Sequence, residues 1–300
     1  MSEVIKKVGI NKSENRAVAV SDEPKTKPSI GIAFGGGGIR GFAHMAILEK
    51  FKEYGIQADM VSGTSIGSGV AAMYAAGRYG EEASRELLNL DIMKMFAMGS
   101  RGGFISGKKY AKTIVDFIGV KRFEDLPIPV KIISVDLVRW QKVIFSKGSL
   151  QTAIQASSAL PGAFSPISYG DKLLVDGGII DNCPADILRR AGMDIVIAID
   201  LDYLNYDRPK NVVEVVQRAI DIAVSNNRRA QNADIVIKPF EKYVAALAIN
   251  KAEVCYNCGK ECIERDMPRV LEVLCRWYEE HNLPCPEEWK AGAAQEQIAE

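Results

Sequence analysis

Short apolar runs alternate with longer amphipathic segments from residue 29 onward. The apolar runs are rich in valine and isoleucine, which predicts buried strands. The segments between them repeat apolar positions every three to four residues, which predicts helices. Predicted strands cover residues 29–34, 58–63, 130–137, 142–146, 172–176, 193–200 and 233–239, and predicted helices cover 39–55, 66–77, 107–119, 186–192, 212–231 and a C-terminal pair.

This alternation indicates an α/β fold with a mostly parallel central sheet that helices cover on both faces. Residues 142–146 and 167–176 are predicted to add hairpins to that sheet. Residues 1–28 are polar and contain two prolines, so we expect a flexible N-terminal extension. One domain is predicted over residues 29–300, with a motif-bearing core at 29–240 and C-terminal helices at 241–300.

Composition narrows the classes of function. The 300 residues contain 38 Lys plus Arg and 38 Asp plus Glu, so the formal charge is zero and general binding of nucleic acid is not favoured. No apolar run is long enough to cross a membrane, and the N-terminus lacks a secretory signal. We therefore expect a cytoplasmic protein whose contact with a membrane would be peripheral and transient.

Two segments of the sequence, one rich in cysteine and one rich in methionine, each have two possible interpretations. Cys255, Cys258 and Cys262 fall on one stripe of a predicted helix, which favours packed structural thiols, with a metal or iron–sulfur site as the alternative. Residues 92–98 are rich in methionine and are either part of the core or a lid or membrane-docking segment.

The first chemical motif is a run of four glycines, Gly35–Gly38, between the first strand and a helix. Such a run presents bare backbone N–H groups, which at a helix N-terminus attract an anion. A dinucleotide-binding loop, an oxyanion hole and a plain tight turn are the alternatives. Dinucleotide binding needs an acid at the end of the second strand, whereas Asp59 opens that strand. The oxyanion hole is therefore favoured.

The second motif, Gly63-Thr64-Ser65-Ile66-Gly67, lies between a predicted strand and a helix of small residues. This is the setting of a nucleophile elbow, in which a sharp turn exposes the hydroxyl of the serine. A serine that caps the helix is the alternative interpretation.

The third motif is a strand that ends in Asp176-Gly177-Gly178, which is either a carboxylate presented beside Ser65 or a turn aspartate. Asp136 and Asp200 also end predicted strands and are the second choices. The chain has two histidines, and neither His44 nor His281 follows a strand. If Ser65 is a nucleophile, its base is therefore predicted to be a carboxylate.

These three motifs, in this order, resemble the patatin-like phospholipase family, and most closely its bacterial branch akin to the catalytic domain of neuropathy target esterase. The resemblance covers roughly residues 29–240 and includes the segments 157–167 and 181–201. It implies a three-layer α/β/α fold and hydrolysis of acyl esters of phospholipids, lysophospholipids or other lipids. The N-terminal extension and the C-terminal helices lie outside the family's motifs, which leaves the substrate range open.

The resemblance also implies a role for each motif residue. Ser65 would be the nucleophile and Asp176 the base of a dyad that needs no histidine, metal or cofactor. The backbone N–H groups of Gly36, Gly37 and Gly38 would form the oxyanion hole, and Arg40 matches the basic residue of that motif. The remaining motif glycines are Gly41, Gly63, Gly67, Gly177 and Gly178. A lipid-binding or regulatory protein on the same scaffold, without catalysis, is the alternative.

Overall fold

The computed structural model describes residues 25–90, 107–203, 208–209, 212–225, 230, 232–246 and 248–293. Residues 1–24 of the predicted extension and the methionine-rich residues 92–98 lie outside the described residues. Within the described part, eight strands form one sheet. They are β1 Ile30–Phe34, β2 Met60–Thr64, β3 Val130–Asp136, β4 Gln141–Phe145, β5 Ile167–Tyr169, β6 Lys172–Asp176, β7 Ile195–Ile199 and β8 Ile235–Ile237.

Helices connect and cover these strands. They are α1 Phe42–Glu53, α2 Ile66–Ala75, α3 Gly80–Asn89, α4 Gly107–Ile118, α5 Leu150–Ser157, α6 Ala185–Arg190, α7 Val212–Ser225, α8 Ala252–Glu280 and α9 Glu287–Ala293. Single turns of 3-10 helix span Gly38–Gly41, Phe123–Asp125, Gly177–Ile179 and Ile249–Lys251.

The sheet has the order β5-β6-β3-β2-β1-β7-β8, with β4 paired to β3. Strands β3, β2, β1, β7 and β8 are parallel, and the hairpin strands β4, β5 and β6 are antiparallel to their neighbours. The register brings the ends of two distant strands together. Thr64 of β2 pairs with Ile133 of β3, and Asp176 of β6 pairs with the next residue, Ser134. The residue after β2 therefore lies beside the last residue of β6.

Alternation along β1 and β7 separates two layers of core. Ile30, Ile32 and Phe34 point into the large cluster that also contains side chains of α1, α2 and α8. Ala33 and its neighbours on β7 point into a second cluster with α6. Helices thus cover both faces of a mostly parallel sheet, and the predicted three-layer α/β/α fold is confirmed.

Two helices are absent from the sequence prediction. Helices α3 and α5 have only ten and eight residues, and helices this short depend on packing rather than on intrinsic propensity. Ser149 caps the N-terminus of helix α5, and its side chain accepts a hydrogen bond from the N–H of Thr152. It packs against α4 and β3, which are remote from it in sequence.

Helix α8 carries the cysteine stripe. Cys255 and Cys262 are buried and Cys258 is half-buried, so the interpretation as packed structural thiols is confirmed. Burial raises the pKa of the Cys255 thiol to about 12, which suppresses its reactivity. The described residues contain no group of three or more metal-ligating side chains. A disulfide that the spacing did not single out joins Cys275, near the end of α8, to Cys285, just before α9.

Candidate active site

Ser65 occupies a sharp turn between the end of β2 and the start of α2. Its φ of 54° and ψ of −125° are strained for a residue with a side chain, and such strain is concentrated at functional sites. A Cβ on Gly63 would overlap the carbonyl oxygen of Gly67, and a Cβ on Gly67 would overlap that of Phe34. Only glycine allows this approach of strand and helix, which leaves the Ser65 side chain on the outside of the turn.

Asp176 lies beside that serine. Asp176 is 3% exposed, and its Oδ1 accepts a hydrogen bond from the N–H of Gly178 at 2.8 Å. Burial raises the pKa of Asp176 to about 6, and the nearby Ser65 hydroxyl and the N–H of Gly178 partly offset this effect. The structure therefore brings together two residues that the sequence motifs predicted to meet.

The glycine loop lies directly over Ser65. A Cβ on Gly36 would come within 3.1 Å of the Ser65 Cβ. The N–H of Gly36 already donates to the carbonyl of Asn182 at 3.0 Å. The N–H groups of Gly37 and Gly38 have no acceptor within the part of the chain that the structure describes. Two of the three predicted oxyanion donors, Gly37 and Gly38, are thus available, and Gly36 is engaged.

Arg40 is buried rather than solvated. Its Nε donates to the carbonyl of Gly37 at 3.1 Å, and its Nη1 donates to the carbonyl of Leu201 at 2.9 Å. The guanidinium group therefore restrains the glycine loop through these two hydrogen bonds. Gly41 ends the same turn, and a Cβ there would lie 2.5 Å from the Cγ1 of Ile66, next to the nucleophile candidate.

The other strand-end aspartates stabilise loops. Asp136 is buried and accepts hydrogen bonds from the N–H of Val138 and from Arg139, within the β3–β4 hairpin. Asp200 is also buried and accepts from the N–H of Asp202.

Asp59 immediately precedes β2, at the opposite end of the strand from Ser65. Its Oδ2 accepts from the N–H of Ile30 at 2.8 Å, so it ties the start of β1 to the start of β2. The glycine loop follows the other end of β1, and the acid that dinucleotide binding would need is therefore at the wrong end of the second strand.

The two histidines also have other partners. His44 is fully buried in α1, and its Nε2 donates to the carbonyl of Gly35 at 2.9 Å. Burial lowers the pKa of His44 to about 4, so its imidazole is neutral at physiological pH. His281 follows α8, where its Nδ1 contacts the carbonyl of Trp277 at 2.8 Å.

Three further residues, to which no sequence motif points, surround the candidate dyad. The Oγ of Ser157 accepts from the N–H of Ser65 at 2.8 Å. Tyr110 is buried near Asp176, and burial together with that carboxylate raises the pKa of its phenol. Asn182 contacts the glycine loop through its backbone and its side chain. These residues come from separate elements, and no local spacing in the chain signals their proximity.

Fold and site together define a class: a three-layer α/β/α protein in which a serine on a strand-to-helix turn lies beside a buried carboxylate under a glycine loop. The sequence profile described as "Patatin-like phospholipase" matches residues 32–189. This match covers more than half of the chain, and the chain belongs to that family.

Curated relatives agree with this assignment. An uncharacterized NTE family protein of Mycobacterium tuberculosis is 33% identical over 180 residues, which are 59% of this chain and 50% of that protein. The neuropathy target esterase of Drosophila melanogaster is 34% identical over 185 residues, 59% of this chain and 13% of the esterase. A lysophospholipase of Debaryomyces hansenii is 30% identical over 61% of this chain and 12% of its own length. The chain thus spans half or less of the length of these relatives.

Among solved structures, VipD of Legionella pneumophila superposes with a TM-score of 0.55 over 91% of this chain and 74% of its own, at 14% identity. This similarity supports the fold.

None of the helices that the structure describes has the length and hydropathy needed to cross a bilayer.

Proposed function

We propose that this chain is a serine acyl hydrolase that cleaves carboxylic ester bonds of phospholipids, lysophospholipids or related lipids. The position of Ser65 beside the buried carboxylate of Asp176 carries the proposal. Membership of the patatin-like family supports a lipid ester as the substrate, as do relatives named as an esterase and a lysophospholipase.

In the first step, the Ser65 oxygen attacks the ester carbonyl carbon while Asp176 accepts the hydroxyl proton. The carbonyl oxygen becomes an oxyanion, which the N–H groups of Gly37 and Gly38 stabilise. The tetrahedral intermediate then expels the alcohol, which takes the proton from Asp176. The acyl group remains on Ser65 as an ester.

In the second step, water attacks the acyl-enzyme. Asp176, again ionised, accepts a proton from the water, and the same two N–H groups stabilise the second oxyanion. Collapse releases the fatty acid and returns the proton to Ser65. One carboxylate thus serves as base and acid in turn.

Burial suits Asp176 to act as the general base, because it raises the pKa of the carboxylate. A carboxylate with an ordinary pKa is a weak base, whereas a pKa of about 6 brings Asp176 near the operating pH. Its contact with Gly178 restricts the carboxylate, so that one oxygen stays oriented by the backbone while the group faces Ser65.

The test pairs each active-site variant with a surface variant of the same chemistry. Ser65→Ala and Asp176→Asn are compared with Ser146→Ala and Asp116→Asn, whose parent side chains are exposed. Labelling by a fluorophosphonate probe and hydrolysis of lysophosphatidylcholine, a diacyl phospholipid and p-nitrophenyl butyrate are measured.

We expect the wild type and both surface variants to label and to hydrolyse at least one ester, and both active-site variants to lose turnover. Full turnover in folded Asp176→Asn would refute the dyad. A folded wild-type protein that binds lysophospholipid but neither labels nor hydrolyses would instead support the non-catalytic lipid-binding alternative.

A further inference from the structure

Three consecutive carbonyl groups of the glycine loop are each held by a side chain. His44 Nε2 donates to the Gly35 oxygen at 2.9 Å, Asn182 Nδ2 to the Gly36 oxygen at 3.3 Å, and Arg40 Nε to the Gly37 oxygen at 3.1 Å. The donors belong to α1, to the segment before α6 and to the 3-10 turn after the loop. A run of glycines has no side chains of its own to fix its conformation, so these contacts supply the restraint.

A hydrogen bond to the carbonyl oxygen of a peptide group also fixes the direction of the N–H in the same peptide group. A trans peptide group is planar, and its C=O and the following N–H point in opposite directions. Holding the Gly36 oxygen therefore fixes the direction of the Gly37 N–H, and holding the Gly37 oxygen fixes that of the Gly38 N–H. These are the two N–H groups of the loop that have no acceptor in the described residues.

The amide of Asn182 is itself oriented. Its Nδ2 donates a second hydrogen bond, to Asp202 Oδ2 at 3.0 Å, so both of its hydrogens are used. Its Oδ1 then lies beside Gly178, where a Cβ would be 2.9 Å away, in the turn that follows Asp176. The Asn182 backbone carbonyl accepts the N–H of Gly36. One residue thus connects the glycine loop to the turn of the carboxylate.

We propose that Asn182 is a positioning residue for ester hydrolysis, which holds the carbonyl of Gly36 so that the N–H of Gly37 points at the oxyanion. This inference rests on the proposed function. Hydrogen-bond donors that are oriented before the reaction stabilise a developing oxyanion without reorganisation. Loss of the Asn182 donor frees the peptide group between Gly36 and Gly37 to rotate, so the effect falls on the transition state rather than on substrate binding.

The experiment separates the contact with Gly36 from the contact with Asp202. Asn182→Asp keeps the shape of the side chain but removes both donors and places two carboxylates together. The double variant Asn182→Asp with Asp202→Asn restores one donor between positions 182 and 202, whereas the Gly36 carbonyl still lacks a donor. Asn257→Ala, at an exposed position on α8, is the control.

The measured quantities are kcat, KM, the melting temperature and the inhibition constant of a trifluoromethyl ketone. Ser65 adds to this ketone and forms a tetrahedral oxyanion, so its affinity reports on the oxyanion hole. We expect the double variant to melt near the wild-type temperature and to keep its KM. Its kcat and its affinity for the ketone should both fall by roughly 10- to 100-fold, less than removal of a donor costs. The control should match the wild type.

Recovery of kcat together with the melting temperature in the double variant would overturn the proposal, because the role of Asn182 would then be structural. Unchanged ketone affinity in Asn182→Asp would overturn it as well. Failure of the proposed function looks different: the wild type itself would neither bind the ketone through Ser65 nor label with a fluorophosphonate.

Discussion

Asp176→Asn is expected to abolish turnover and, at the same time, to stabilise the fold. Asparagine has nearly the same shape as aspartate, so its Oδ1 can still accept the N–H of Gly178 and its Nδ2 can donate to Ser65. The substitution removes a charge that is almost completely excluded from water. A buried ionised carboxylate opposes folding unless its partners compensate for the lost hydration.

The pKa of Asp176 sets the size of the effect. Burial raises the pKa from 3.8 to about 6, and each unit corresponds to about 1.4 kcal/mol, so the ionised group weakens folding by about 3 kcal/mol. Because the native pKa exceeds the unfolded one, the native state binds the proton more tightly. The penalty is therefore absent below about pH 4, grows between pH 4 and 6, and is constant above pH 6.

Urea denaturation from pH 4.5 to pH 8 measures this difference. The variant should exceed the wild type by roughly 3 kcal/mol at pH 7 and by much less at pH 4.5. Asp116→Asn, in an exposed helical position, should show no such trend. Other groups that titrate in this range, including His44, affect the wild type and both variants alike. If the difference were equal at both ends of the range, or if the variant were less stable at pH 7, the assignment of a buried, uncompensated charge would be wrong.

Three further predictions concern single measurements. The kcat/KM of the wild type should fall about tenfold per pH unit below pH 6 and be level above it, because Asp176 must be ionised; a level profile down to pH 5 would contradict this. Gly67→Ala should lose fluorophosphonate labelling and stability, since its Cβ overlaps a backbone oxygen, whereas Gly107→Ala, whose nearest neighbour lies 3.6 Å away, should keep both. Trp140→Asn should raise the free energy of unfolding by about 0.5–1 kcal/mol, because the residue has a φ of 55° and is 88% exposed; lower stability would show that the tryptophan side chain stabilises the hairpin.

The sequence predicts features that depend on neighbouring residues. The seven strands read from apolar runs correspond to β1–β4 and β6–β8, and the ten-residue hairpin segment contains β5. The three motifs lie where glycine is required for steric reasons, which is why their positions could be read locally. Gly63 and Gly67 are examples, since each lies against a backbone carbonyl.

Features that depend on distant partners could not be read in this way. The motif marks three loop glycines as equivalent donors, but Gly36 is engaged because residue 182 folds against it. The same holds for Arg40, whose acceptor on Leu201 belongs to the segment after β7. A spacing pattern shows which residue types lie near one another in the sequence. Which groups form hydrogen bonds depends on the register of the whole sheet.

The absence of an imidazole at Ser65 has a physical rationale. Attack by a serine hydroxyl needs a base within reach and donors that stabilise the oxyanion. Each of the two lowers part of the activation barrier. In the proposed mechanism, burial strengthens the base by raising the pKa of Asp176 to about 6, while the peptide N–H groups of Gly37 and Gly38 supply the oxyanion donors. His44, buried and neutral, is used to hold the Gly35 carbonyl of the glycine loop. The strained turn at Ser65, the run of glycines and the buried carboxylate each oppose folding. Their concentration at one edge of the sheet is typical of functional sites and supports the proposed ester hydrolysis.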